Sequence, residues 1–222
     1  TGIFCFRNDL RLHDNQALSA ALDTCDKLHL VYAFEDRLWK GSAPNRISTH
    51  RARFLLESLQ CLMKQINRLG GRLKIVHGNI DISIPQFMHK HGAEICFLSK
   101  ESAWEENKTE EALSKVVPTT LVSSPTLIHP NDLPFALSEL PETFTQFRKK
   151  VEKNWTVRPC LSPPESLNSD GTTHANLPTL LDLGFTMNSL DPRSCFTFHG
   201  GSSSGKKRVK DWLWDKQCLS SY

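Results

Sequence analysis

The chain has 222 residues, of which 39% are hydrophobic and 23% are charged, and its formal net charge at pH 7 is +3. These values are typical of a globular protein, and the charge is too small to indicate nucleic-acid binding by itself. No apolar run approaches the roughly 18 residues of a membrane-spanning helix, and the first residues lack the pattern of a signal peptide. We therefore expect an intracellular protein without membrane contacts, in the nucleus, the cytoplasm or an organelle.

Five short apolar runs have the continuous hydrophobic character of strands buried in a parallel sheet. These runs are residues 3–6, 28–34, 73–77, 95–98 and 119–122. Helices are predicted between them from apolar periodicity, capping residues and composition. These helices are residues 16–22, 49–69, 80–91 and 103–117, and residues 38–48 are predicted to form a loop. The alternation predicts an α/β fold, a doubly wound five-stranded parallel sheet of the Rossmann-like αβα type.

The C-terminal part has a different composition. Residues 123–141 are interrupted by prolines, and residues 155–192 are predicted to form a loop. Between them an amphipathic helix is predicted at 142–153, with the basic residues 148–150 on its exposed side.

The last part of the chain begins with a run rich in Gly and Ser. Residues 200–205 have the composition of a flexible linker, and residues 209–222 are predicted to begin a helix that carries Trp212, Leu213 and Trp214. We therefore predict an α/β domain at 1–135, an extended linker with short helices at 136–200, and the start of a second, helical domain at 201–222.

The seven cysteines are scattered along the chain, without a Cys-x-x-Cys pair. Their odd number and irregular spacing argue against a disulfide framework and against a zinc site. We expect reduced thiols, most of them small residues of the core. His89 and His91 stand two positions apart in a predicted helix, which places them on different faces, so no metal site is expected there.

Polar loops follow several of the predicted strands, at the end of a parallel sheet where ligands bind. The first loop carries Arg7, Asn8, Asp9 and Arg11. Two arginines that flank a carboxylate either form a structural ion-pair network or line a ligand crevice. The second loop, residues 35–37, has the composition of a solvated edge.

The third loop, residues 99–107, brings Glu105 and Glu106 to the start of a predicted helix. Carboxylates in the first turn are stabilised by the helix dipole, which explains them without a ligand. Alternatively, one carboxylate faces the crevice, where its two oxygens match two adjacent N–H donors such as those of an amino-pyrimidinone ring.

Six segments form a recognisable series along the chain. The opening loop reads RNDLRLHDN. The later segments are RARFL at 51–55, LIHPNDLPF at 127–135, FTQFRKKVE at 144–152, VRP at 157–159, and HGG at 199–201 before a helix that contains Trp214 and Asp215. In this order the segments resemble motifs of the photolyase and cryptochrome family, the first of them its opening signature, and the similarity is greatest for the DASH-type cryptochromes.

The resemblance implies that the α/β domain is an antenna domain, which in DASH-type members commonly binds methenyltetrahydrofolate. By position, Glu106 with Glu105 beside it would hold the pterin, and Arg7, Asn8 and Asp9 are the further candidates for cofactor contacts. The family's light-driven repair of pyrimidine dimers, or its blue-light reception, depends on FAD in a helical flavin domain. We expect FAD and DNA to bind only in a full-length form, with that domain in cis or on a partner chain, so that this chain alone catalyses no repair.

Two alternatives remain open. In the first, the chain is a non-enzymatic interaction module whose sheet holds no ligand, and a partner binds the basic helix and the tryptophan-containing segment near the C-terminus. In the second, it is a general nucleotide-binding domain with hydrolase or transferase chemistry. The sequence contains no Gly-x-Ser-x-Gly elbow, no Gly-x-Gly-x-x-Gly turn and no Walker A loop, which argues against the second alternative.

Overall fold

The structure is a computed structural model that describes residues 1–39, 47–123, 126, 128–167, 176–186, 193 and 198–221. Its centre is a sheet of parallel strands in the order β3-β2-β1-β4-β5. The strands are β1 (Gly2–Phe6), β2 (Leu28–Phe34), β3 (Leu73–His77), β4 (Ile95–Lys100) and β5 (Thr119–Ser123). The doubly wound sheet predicted from the apolar runs is confirmed.

The helices are α1 (Gln16–Thr24), α2 (Asp36–Trp39), α3 (Thr49–Arg68), α4 (Ile80–His91), α5 (Trp104–Ser114), α6 (Phe144–Asn154) and α7 (Ser202–Lys210). Helices α1 to α5 lie between successive strands, in agreement with the predicted alternation, whereas α6 and α7 follow the last strand. The Asn15 side chain caps α1 by accepting a 3.0 Å hydrogen bond from the Leu18 N–H. The predicted loop at 38–48 begins inside the one-turn helix α2, and residues 40–46 of it lie outside the described part of the chain.

The core lies on both faces of the sheet, because successive side chains of a strand point to opposite faces. Phe4 and Phe6 of β1 pack in one cluster with α1 and α3, whereas Ile3 and Cys5 pack in a second cluster with α4 and α5. All four side chains are at most 1% exposed. Burial on both faces explains why β1 is apolar throughout instead of alternating with polar residues.

The prediction of a flexible linker at 200–205 is wrong, since α7 begins at Ser202. Composition indicates only the local conformational preference of this segment. In the fold the segment also contacts α3, where Gln65 Nε2 donates a 2.8 Å hydrogen bond to Ser202 Oγ. A π-helical turn, Asp211–Asp215, follows α7, and its Trp214 is 63% exposed. Tyr222, the last residue of the predicted helix, lies outside the described residues.

The linker after α6 is also more tightly packed than its composition indicates. Leu167 and Phe185 are buried in the same cluster as α1 and α3. The Leu167 N–H donates a 2.8 Å hydrogen bond to the Leu69 carbonyl, and the Phe185 ring lies 6.1 Å from the ring of Trp39. Residues 168–175 and 187–192 of the predicted loop lie outside the described ranges.

The cysteines are less buried than expected. Cys5 and Cys96 lie in the core, where burial raises the pKa of both thiols. Cys25, Cys61 and Cys218 are half-buried and Cys160 is exposed, so the prediction that most cysteines belong to the core is wrong for the six that the structure describes. The seventh, Cys195, lies outside the described residues.

Candidate functional site

Three of the predicted site residues, Arg7, Asn8 and Asp9, directly follow β1. In the sheet β1 lies between β2 and β4. Helix α1, which follows β1, and helix α5, which follows β4, lie on opposite faces of the sheet. At such a switch point the loops separate, and open α/β sheets usually bind ligands there.

Arg7 ties the loop after β1 to β4 and α5. Its Nη2 donates a 2.5 Å hydrogen bond to the Ser99 carbonyl and forms an ion pair with Oε1 of Glu110. The same Glu110 oxygen accepts a 2.9 Å hydrogen bond from the Glu101 backbone N–H. The side chains of Arg7 and Glu110 are 9% and 3% exposed, so the charge pair is buried. The first loop is therefore part of an ion-pair network, and the carboxylate of that network is Glu110 of α5.

Asp9 is a structural residue of this loop rather than a group facing solvent. Its Oδ2 accepts hydrogen bonds from Ser99 Oγ at 2.6 Å and from Asn15 Nδ2 at 3.3 Å, and its Oδ1 accepts one from the Arg7 N–H at 3.0 Å. Both oxygens are thus satisfied by the protein. The exposed Asn8 side chain spans the same two loops by donating to Glu101 Oε1 at 3.0 Å. These bonds close the crevice between β1 and β4.

A cavity of about 400 Å³ opens on the other side of Arg7, between the ends of β1 and β2 and helix α3. We call it the β1–β2 cavity. Its walls include the basic residues Arg7, Arg11 and Arg51 and the aromatic residues Tyr32 and Phe54. Its volume lies within the usual range for small-molecule sites, and such sites also combine apolar walls with a few polar groups.

Arg7 contributes positive charge to this cavity, and part of its hydrogen-bonding capacity is unused. Its guanidinium has five N–H donors, and only Nη2 is bonded. The Nε and Nη1 atoms are buried and have no hydrogen-bond partner among the described residues. Because a buried donor without a partner costs about 1–3 kcal/mol, these two atoms make the surroundings of Arg7 unusual for a protein interior.

Tyr32 forms part of the same wall as a neutral phenol. Burial, with a further contribution from the Glu35 carboxylate, raises the pKa of Tyr32 well above its ordinary value. The nearby Arg51 guanidinium lowers the pKa of Tyr32 by a smaller amount. Because the phenol stays protonated at neutral pH, the charge of the cavity is set by its arginines.

Glu105 and Glu106 lie in the first turn of α5, as predicted, and both side chains are half-buried. Neither residue lines the β1–β2 cavity. A second cavity, of about 660 Å³, lies at the ends of β4 and β5 and is bordered by the neighbouring residues Glu101 and Asn107. The structure thus separates the two predicted groups of site residues, so a pterin held by Glu106 and a ligand in the β1–β2 cavity are two distinct hypotheses.

The second polar loop is a solvated edge only in part, because Asp36 is exposed whereas Glu35 is buried. Glu35 is 7% exposed, and its two oxygens accept hydrogen bonds from Arg37 Nε at 2.9 Å and from Arg37 Nη2 at 3.1 Å. This bidentate pair fixes the end of β2 beside the cavity.

Sequence reasoning missed the partner of Arg7 and most of the cavity wall. Glu110 lies one helical turn after Glu106, so the i,i+4 spacing of acidic residues on α5 was the available signal. Arg51 and Phe54 belong to the family motif at 51–55, but nothing in the sequence predicts that they line the same cavity as the loop after β1. Among the described residues no group of His, Cys, Asp and Glu is arranged to hold a metal ion, and no helix has the length and apolarity to cross a membrane.

Comparison with known proteins agrees with this fold. The DNA photolyase family model matches residues 3–166. Cryptochrome DASH of Gloeobacter violaceus is 34% identical over 235 residues, which cover 100% of this chain and 46% of the relative. Cryptochrome DASH of Danio rerio is 32% identical, with 100% and 45% covered. The chain thus spans slightly less than half the length of these relatives.

Solved structures give the same result. The chain superposes on a Synechocystis cryptochrome with a TM-score of 0.90 at 31% identity, covering 100% of this chain and 48% of that one. An archaeal photolyase from Sulfolobus tokodaii, at 23% identity and a TM-score of 0.75 over 92% of this chain and 45% of that one, shares the fold. The chain therefore belongs to the DNA photolyase family, and the part of that family it resembles is the N-terminal domain of DASH-type cryptochromes.

Proposed function

We propose that this chain is the antenna domain of a photolyase-like blue-light flavoprotein and that it holds a light-absorbing chromophore in the β1–β2 cavity. The composition of the cavity wall carries the proposal: three arginines, Arg7, Arg11 and Arg51, surround the same space. Their positive charge suits an anionic ligand, and the aromatic residues Tyr32 and Phe54 suit a planar ring.

Methenyltetrahydrofolate fits this environment chemically. Its glutamate carboxylates would suit the basic residues Arg7, Arg11 and Arg51, and its planar pteridine would suit the aromatic residues Tyr32 and Phe54. When bound, such a group absorbs near-ultraviolet and violet light. The residues of this chain would orient it and exclude water from it, and they would take part in no covalent step.

The remaining parts of the proposed function concern a longer protein. We infer that the absorbed energy passes to FAD held by a helical flavin domain, in cis or on a partner chain. Repair of pyrimidine dimers and contact with DNA belong to that full-length form, and the chain studied alone is not catalytically competent. This part of the proposal rests on the family and on the similarity to DASH-type cryptochromes.

Pterin binding and its location are tested together. The purified chain is mixed with methenyltetrahydrofolate and desalted, and the retained near-ultraviolet band is measured for the wild type, Arg51→Gln and Glu106→Gln. Arg51 is an exposed residue of the cavity wall, so its substitution leaves the core intact. We expect a retained band that is weakened by Arg51→Gln and unchanged by Glu106→Gln.

Other results have distinct meanings. Loss only in Glu106→Gln would keep the antenna role but move the chromophore to the start of α5. No retained band in the wild type would contradict the antenna role of this chain.

A non-enzymatic interaction module is the second candidate, and one observation favours it. Phe144 on α6 is 74% exposed beside the basic residues 148–150, and Trp214 is 63% exposed. Both side chains are large, and each could anchor a partner by burying its apolar surface. If the wild type retains no pterin, this candidate becomes the better one, and it predicts that Phe144→Ser and Trp214→Ser weaken binding to a partner without changing stability.

A further inference from the structure

One wall of the β1–β2 cavity comes from a segment far away in sequence. Gly201 and Ser202 line the cavity, although they form the start of α7, at the other end of the chain from the loop after β1. We call residues 199–203 the strap. The strap lies on α3, the helix that also supplies Arg51 and Phe54 to the cavity.

Polar contacts hold the strap on α3 at both of its ends. The Gly200 N–H donates a 2.6 Å hydrogen bond to Glu57 Oε2, and His199 Nδ1 lies 3.3 Å from Glu57 Oε1. About two turns further along α3, Gln65 Nε2 donates to Ser202 Oγ at 2.8 Å. The hydrogen bond from the Gly200 N–H to the Glu57 carboxylate is charge-assisted and therefore stronger than the neutral bond between Gln65 and Ser202.

The backbone of the strap approaches α3 so closely that side chains are excluded. A Cβ atom at Gly200 would lie 2.1 Å from the Phe54 carbonyl oxygen, which is far inside van der Waals contact. At Gly201 it would lie 2.5 Å from Cys61 Cβ, and the φ of +98° at that residue is one that other residues rarely adopt. The docked position therefore depends on these two glycines.

Phe54 connects this docking to the cavity. Its carbonyl supports the strap, while the same residue lines the cavity together with Gly201. Undocking the strap would remove one wall of the cavity, and a ligand filling the cavity would contact the strap in its docked position. A ligand that binds one arrangement better than the other must shift the equilibrium between them.

We propose that docking of the strap and occupancy of the β1–β2 cavity are thermodynamically coupled, so that a bound chromophore fixes the direction in which α7 leaves the α/β domain. This inference rests on the proposed function and adds regulation to the same cavity. Glu57 and Gly200 are positioning residues, since neither lines the cavity itself. Coupling must be reciprocal: the docked strap strengthens binding, and binding stabilises the docked strap.

The test uses Gly200→Ala to undock the strap and Gly205→Ala as the matched control, because a Cβ at Gly205 meets nothing within 4 Å. Affinity for methenyltetrahydrofolate is measured by spectral titration. Hydrogen exchange of the peptide containing the Gly200 amide is measured in the wild type with and without this pterin. We expect Gly200→Ala to weaken binding by about 5- to 150-fold, Gly205→Ala to leave it unchanged, and the pterin to slow exchange at the strap.

The outcomes separate this inference from the proposed function. If the wild type binds the pterin, but Gly200→Ala binds as tightly as Gly205→Ala or exchange at the strap is unchanged, the coupling is refuted and the antenna role stands. If the wild type does not bind, the antenna role fails and the coupling fails with it. If circular dichroism shows that Gly200→Ala is unfolded, the exchange measurement on the wild type decides alone: slowing supports the coupling and no change refutes it.

Discussion

Replacing Glu110 with Ala should destabilise the domain strongly, because it leaves the Arg7 guanidinium buried without its counter-charge. Both side chains are more than nine-tenths buried, and Glu110 also holds the Glu101 backbone N–H. Removing one partner of a buried ion pair costs about 3–5 kcal/mol. For a chain of this size about 1 kcal/mol corresponds to about 2–4 °C, so the melting temperature should fall by about 6–20 °C.

The assay is urea unfolding followed by far-ultraviolet circular dichroism, with Glu111→Ala as the control. Glu111 is the next residue of α5 and is exposed, so its substitution should change the free energy of unfolding by no more than about 0.5 kcal/mol. The double variant Arg7→Met with Glu110→Leu should recover most of the loss, since apolar residues of similar volume often replace a buried pair at little cost. If Glu110→Ala unfolds within about 1 kcal/mol of Glu111→Ala, the pair is not the buried network described here.

Three further predictions concern core packing, a helix cap and an ion pair outside the β1–β2 cavity. Gly71→Ala should cost about 1–3 kcal/mol in urea unfolding, because the new Cβ would lie 2.8 Å from Leu167 Cβ; unchanged stability would mean that the linker does not pack on the core as described. Asn15→Ala should cost about 1–2 kcal/mol by removing the cap of α1. Asn15→Asp keeps the acceptor but should not recover this loss, because it places a second buried carboxylate where the Asn15 Nδ2 donor now lies, 3.3 Å from Asp9 Oδ2. The hydrogen bond from Arg158 lowers the pKa of Asp132 below its ordinary value, so the stabilisation is present above that ordinary value and is lost as the pH falls through the lowered one. An NMR titration should show the Asp132 pKa rising in Arg158→Gln, and equal values in both proteins would contradict this.

The bond between Arg158 and Asp132 also shows how the family motifs relate in space. These residues belong to two segments, LIHPNDLPF and VRP, that lie on either side of α6. In the structure Arg158 Nη2 donates to Asp132 Oδ1 at 2.6 Å, and Nε donates to Oδ2. The sequence identified both segments, but only the fold shows that one serves to hold the other.

The sequence by itself determined the fold class and the strands. Five apolar runs separated by helical segments have few stable solutions, and strands buried on both faces are recognisable because they lack polar residues. The loop after β1 was also recognisable as a candidate ligand-binding loop, because its residue types and its place after a buried strand are local properties of the sequence.

Only the tertiary structure decided what the polar residues do. Arg7 and Glu110 are 103 positions apart, and Ser202 lies 137 positions from Gln65, so no local pattern predicts either pair. The same holds for the linker at 200–205, whose Gly and Ser residues look flexible by composition but allow the close approach to α3 that docks the strap. Whether a polar residue is buried and which partner it has depend on the segments that the fold brings together. In this chain the same residue, Arg7, belongs both to a closed ion-pair network with Glu110 and to the wall of an open cavity.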